Sequence, residues 1–188
     1  KTEKRAISKD AIHLIMNLEI PKGKHFLQLA KDIFIFSYLC AGINVIDIAY
    51  LTDVNIKNNT LTYHRHKTGN KITLPLTSEA IQLIEKYNHY SNKIGYLFPI
   101  LDKNKYKTKL QQHNRIRKAL ACINKGLKKI APMIGVDVNL TTYVARHSYA
   151  TILKKSGVNV ALISETLGHT DLKTTQIYLD SFDNEQIA

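Results

Sequence analysis

The chain has 188 residues, 44% hydrophobic and 22% charged, enough for one folded domain with its own core. Lysine and arginine outnumber aspartate and glutamate 27 to 15, and the resulting formal charge of +12 favours a polyanionic partner, nucleic acid above all. No apolar run reaches the roughly 18 residues of a membrane span, which argues against a membrane protein. No signal-peptide pattern follows Lys1, and Cys40 and Cys122 sit in apolar helical contexts without metal-ligand spacing. These features predict packed thiols in a reducing cytoplasm and a domain that belongs to a longer protein.

Residues 1–7 read as the end of a linker. Ser8 caps a first helix that carries Ile12, Ile15 and Met16 on one face, and Pro21 and Gly23 interrupt it. From Lys24 to Cys40 apolar residues point in almost every direction, so this helix is expected to be central. Gly42 breaks it, and Asn44 is placed to cap a short helix ending near Tyr50. A β section follows, with strands at Val54 to Lys57, Thr60 to His66 and Lys71 to Leu74. Asn58-Asn59 and Thr68-Gly69-Asn70 supply the turns of an antiparallel three-stranded sheet.

Thr77 or Ser78 caps the next helix, with Ile81, Ile84 and Tyr87 on one face, and Tyr96 to Pro99 reads as an extended link. A long helix from about Thr108 to Ile130 carries the stripe Ile116, Leu120, Ile123, Leu127 and Ile130. Its basic residues, Arg115 and Arg117 among them, suit either DNA or solvent. Thr141 or Thr142 then opens a helix that Gly157 closes, Asn159 caps a short helix closed by Gly168, and a last helix runs from about Asp171 through Tyr178. The predicted fold class is α+β: mainly helical, with one small sheet.

The chemistry concentrates between Thr141 and Tyr178, which contains Arg146, His169 and Tyr178 in that order. An arginine fork fits two phosphate oxygens, a histidine can donate to a third, and a tyrosine can attack phosphorus. Phosphoryl transfer asks a protein mainly for positioning and charge stabilisation. No carboxylate cluster for a metal is evident, which argues against a metal-dependent nuclease. Each residue also has a plainer reading: Tyr178 as core, His169 as a cation at a helix C-terminus, and Arg146 as the partner of Asp47.

Arg146-His147, Leu167-Gly168-His169 and Tyr178, nine positions after that histidine, resemble the signature of the tyrosine recombinase (phage integrase) family. Ala41-Gly42-Ile43-Asn44-Val45-Ile46-Asp47 resembles the family's first motif, and Lys67-Thr68-Gly69 its β-hairpin lysine. The likeness runs from about Lys24 to Leu179 and is greatest to integrases of conjugative and mobilisable elements. It implies a recombinase catalytic domain that joins DNA site-specifically through a 3′-phosphotyrosyl bond, without cofactor or metal. Tyr178 would be the nucleophile and Lys67 the acid for the departing 5′ oxygen, with Arg146 and His169 on the phosphate and Asp47 and His147 in support. It further implies a core-binding domain before Lys1, a tetramer on paired double-stranded DNA sites, a monomeric isolated domain and a place in the bacterial cytoplasm.

Two positions depart from that pattern. Asn44 stands where most members carry a second phosphate-binding arginine, and Tyr143 where many carry a histidine three residues before Arg146. If the second strand holds through Lys67, Arg65 shares its face and can supply the missing charge; a plain surface arginine is the alternative. The rival from another class is a non-enzymatic helix-turn-helix reader built on residues 159–179, with Thr174 and Gln176 at base edges. It explains the positive charge but leaves Lys67 and Arg146 without a purpose.

Overall fold

The apolar residues that surround the segment 25–39 on nearly every side make it the buried axis of the domain. The computed structural model describes residues 6–169 and 171–180, without the side chains of Thr174, Ile177, Tyr178 and Asp180. Around α2 (His25–Leu39) are α1 (Lys9–Asn17), α3 (Val45–Tyr50) and α4 (Ser78–Lys86). The long α6 (Lys109–Met133) and α7 (Thr142–Lys155) pack against α2 as well. Ala30, Ile33, Phe34 and Phe36 of α2 are inaccessible to solvent, and Ile123, Leu127 and Ile130 of α6 meet the same core. Gly126 lets the two helices approach closely, because a Cβ there would lie 2.7 Å from that of Ala30.

Ser8 and Thr77 each accept a backbone N–H three residues on, as their cap positions predict, and Thr108 forms a full capping box with Gln111. Asn44 precedes α3, but its side chain makes no capping bond. One helix, α5 (Asn88–Ile94), had no sequence signal: NHYSNKI lacks an apolar period, and the turn is closed by Gly95 in a left-handed conformation. Ile7, expected in a linker, belongs to the fold. It is buried, and its N–H donates to Ser148 Oγ on α7 at 2.9 Å.

The sheet is antiparallel in the order β1 (Ile56–Lys57), β2 (Thr60–His64) and β3 (Lys71–Pro75). Asn58 and Asn59 both take positive φ (50° and 57°), the geometry of a tight hairpin turn. Register pairs Leu61 with Leu74 and Tyr63 with Ile72, placing one apolar face on the core. Two boundaries differ from the sequence reading. Asp53–Asn55 is a 3-10 turn, held by Asn55 Oδ1 accepting from Thr52 N, so β1 starts later. β2 stops at His64 because Arg65 O receives Gly69 N at 2.7 Å and closes a turn over residues 65–69.

A second, smaller core holds Ala150, Ile163, Leu167 and Leu179. It joins the outer side of α7 to α8 (Val160–Thr166) and α9 (Leu172–Asp180). Gly168 turns the chain between these last two helices at φ 63°, and a Cβ there would meet Ile72 Cδ1 at 2.8 Å. The turn before His169 is thereby pressed against the sheet.

Because Gly126 sits at the α2–α6 contact, Gly126→Val is expected to destabilise the domain by about 1–3 kcal/mol through overpacking. Urea unfolding of the variant checks this; an unchanged midpoint would mean the helices can part at no cost.

Candidate phosphate site

Arg146 lies on the inward side of α7 and is only 4% exposed. Its Nη1 donates to Gly42 O at 2.9 Å and its Nη2 to Leu167 O, so the guanidinium spans the loop after α2 and the end of α8. Gly42 is required there: φ is 70°, and a Cβ would fall within 2.7–2.9 Å of Arg146 Cγ, Cα and Cβ. Nη2 also lies 3.2 Å from His169 Nε2. A guanidinium only donates, so this nitrogen accepts, and the imidazole proton sits on Nδ1, which donates to Thr175 Oγ1 at 2.7 Å. His169 is half-buried. Desolvation first, then the cations of Arg146, Arg65 and Lys67, bring its pKa down to about 4, so it is neutral at pH 7.

Arg65 joins this cluster, by a route other than the expected one. With β2 ending at His64, Arg65 does not share a strand face with Lys67; it turns inward, 7% exposed, and Lys67 is left exposed in the turn. Arg65 Nη1 donates to Gly168 O at 2.8 Å, across 103 residues of sequence. Its Nε is shielded from solvent and has no acceptor among the described residues. An unsatisfied buried N–H typically costs about 1–3 kcal/mol. The structure therefore brings together Arg65, Arg146 and His169: the two guanidinium groups donate to main-chain carbonyls and the imidazole to the Thr175 hydroxyl.

Asp47 is buried, and its bonded partner is His66 rather than Arg146: Oδ1 accepts from His66 N at 2.8 Å and lies 3.3 Å from Nδ1. His147 is buried one position from Arg146, with its ring against that of Tyr143 at 4.4 Å. Tyr143 itself is 47% exposed. Tyr143 and Asn44 line a groove of about 420 Å³ with His113, Arg117, Asn124, Thr141 and Thr142, and no carboxylate lines it. The two departures from the expected motif therefore share one open surface. Tyr178 lies on α9, and its side chain falls outside the described residues. Sequence reasoning missed Gly42 and Thr175 as parts of the site; the positive φ of Gly42 was signalled only by its place after an apolar helix. No group of three or more His, Cys, Asp or Glu suited to a metal occurs among the described residues.

A sequence model of the Phage integrase family matches residues 44–185, and the chain belongs to that family. It is 26% identical to a tyrosine recombinase XerA of Saccharolobus solfataricus over 96% of this chain and 58% of that protein. A XerA of Pyrococcus horikoshii is 32% identical over 73% of this chain and 46% of its own length. The chain thus spans about half the length of such relatives. Among solved structures, that of XerA recombinase superposes with a TM-score of 0.65 at 15% identity, covering 96% of this chain and 63% of that one. XerH bound to palindromic difH substrate gives 0.68 at 17%, covering 97% and 51%. The Tn1549 transposon integrase with transposon right end DNA gives 0.63 at 15%, covering 98% and 66%. These likenesses establish the fold.

The neutral His169 has a consequence for stability. Its folded pKa of about 4 lies below the ordinary 6.5, so the unfolded chain binds the proton first as pH falls. The folded state then loses stability from about pH 6.5 down to about 4. In chemical unfolding across this range, His169→Gln should lack this component and lose less stability than the wild type. Parallel pH profiles would contradict it.

Proposed function

We propose that this domain breaks and rejoins the backbone of double-stranded DNA at specific sites, with Tyr178 as the nucleophile. The observation that carries the reading is the cluster of buried Arg65 and Arg146 with half-buried His169, in which Arg65 Nε has no acceptor among the described residues. A phosphate group supplies an acceptor for Arg65 Nε and a negative charge between the cations. Family membership and the formal charge of +12 support the same substrate class. So do the structurally similar XerH recombinase and Tn1549 transposon integrase, both of which were solved with DNA bound.

In this mechanism the Tyr178 oxygen bonds to phosphorus while the bond from phosphorus to the 5′ oxygen breaks. The phenolic proton passes to solvent water, and the 5′ oxygen takes its proton from Lys67. Arg146 and Arg65 hold the non-bridging oxygens, so Arg65 replaces the charge that Asn44 lacks. His169 acquires a proton as the anion arrives and then donates to it. The side chains supply the compensating positive charge, and the reaction runs without metal or cofactor. Bond energy is kept in the phosphotyrosyl link, which allows rejoining without ATP. Asp47 and His147 support the site from behind, and Asn44 and Tyr143 face the DNA from the groove.

The complete protein adds a DNA-binding domain ahead of this one and assembles as a tetramer on paired sites, while this domain alone is monomeric. It acts at the nucleoid of a bacterial cytoplasm, on a mobile element, as the likeness to a transposon integrase supports. A helix-turn-helix reader over residues 159–179 is not favoured, since it gives no purpose to Arg65, Arg146 and His169.

A nicked recombination-site substrate should yield a denaturant-stable protein–DNA adduct that Tyr178→Phe abolishes without loss of binding. Equal trapping by that variant removes Tyr178 as nucleophile. Arg65→Ala should lower the cleavage rate at saturating DNA by at least about tenfold, about 1.4 kcal/mol of barrier. A loss confined to binding would make Arg65 a DNA contact only.

A further inference from the structure

Lys67 projects from an exposed turn, a poor platform for an acid that must meet one oxygen. The turn is fastened on one side by the residue before it. His66 N and His66 Nδ1 both face Asp47 Oδ1, at 2.8 and 3.3 Å, and Asp47 is 3% exposed. The imidazole also stacks on Tyr50, with centroids 4.4 Å apart and planes 18° from parallel. Asp47 and Tyr50 are three residues apart on α3 and so present one face to the turn. Tyr50 is held in turn by its hydroxyl, which donates to Gln112 Oε1 of α6 at 3.1 Å.

We propose that His66 is the positioning residue for Lys67: its ring, clamped between Asp47 and Tyr50, fixes the turn that presents the ammonium to the departing 5′ oxygen. Three points carry the inference. The backbone bond from His66 N to Asp47 fixes the chain one residue before Lys67, and the ring adds a second donor to the same carboxylate. Among the described residues, the turn's other outward bond runs from Arg65 Nη1 to Gly168 O, at the corner after α8, and Thr68 N and Gly69 N to Arg65 O and Arg65 N to Asn70 O are internal to the hairpin, so it is His66 that ties the turn to α3. Finally, α3 follows directly from the Gly42 loop that receives Arg146, so the clamp sets Lys67 against the same element that holds the phosphate-binding arginine. Proton transfer demands such placement, since donor and acceptor must come within hydrogen-bond reach.

The inference rests on the reading of Lys67 as general acid, and one experiment separates the two. The complete protein is assayed on a nicked DNA with the ordinary scissile phosphate and on one whose bridging 5′ oxygen is replaced by sulfur. A thiolate leaves without being protonated, so the sulfur substrate needs no acid. On the oxygen substrate at saturating DNA, His66→Ala should cleave at least about tenfold more slowly, with affinity changed by no more than about twofold. The sulfur substrate should restore both His66→Ala and Lys67→Ala to near the wild-type rate. His66→Asn keeps an N–H near the position of Nδ1 and should recover most of the oxygen-substrate rate.

Rescue of Lys67→Ala but not of His66→Ala overturns the positioning role and leaves Lys67 as the acid. Failure to rescue Lys67→Ala removes the acid reading, and the inference with it. An equal loss on both substrates with a lowered melting temperature would make His66 merely structural. His66→Asn no better than His66→Ala would show that the bond to Asp47 is not the means.

Discussion

The buried guanidinium of Arg146 is the constraint on which the rest of the site depends. It stands between the large core around α2 and the small core around Leu167, and it donates to a carbonyl on each side. A charge that deep costs several kcal/mol unless its donors are met, so the surrounding backbone is organised to meet them. The loop after α2 must present Gly42 O, which only a residue without a Cβ can do at that distance and φ. The end of α8 must present Leu167 O, and that fixes Gly168 and His169 behind it. Burial first, and then this same arginine 3.2 Å away, keep the imidazole neutral, because desolvation and a neighbouring cation both disfavour a second charge.

Much of the architecture was legible in the chain because its signals are local. Caps at Ser8, Thr77 and Thr108, the apolar stripe of α6, and Asn58-Asn59 between alternating strands each specify structure within a few residues. The signals failed where distant partners decide. Alternation continues through Arg65 and His66, yet β2 ends at His64, because one arginine bonds Gly168 and the histidine bonds Asp47. The inward turn of Arg65 rests on a contact across 103 positions, which no pattern of residue types announces. Asp47 likewise looked like a partner for Arg146 by charge alone, and geometry gave it to His66. The helix α5 is held by its left-handed Gly95 and not by a buried stripe.

The substitutions at Asn44 and Tyr143 are intelligible as a redistribution of charge. Both line an open groove free of carboxylates, whereas a guanidinium from the hairpin, Arg65, is buried beside Arg146. On the proposed function, the positive charge that faces a phosphate is then held deeper, where lower local dielectric strengthens each contact. The chain belongs to the Phage integrase family and shares the fold of XerA recombinase, and Arg65, Arg146 and His169 all lie within the matched residues 44–185.

The account's central claim, that Arg65, Arg146 and His169 receive one phosphate, is tested most directly at the imidazole itself. The His169 ring is followed by nuclear magnetic resonance against pH in the Tyr178→Phe protein, free and saturated with uncleaved site DNA. The free ring should titrate near 4, and bound phosphate should raise that value by offsetting the neighbouring cations. A His169 titration unmoved by saturating DNA would contradict the claim.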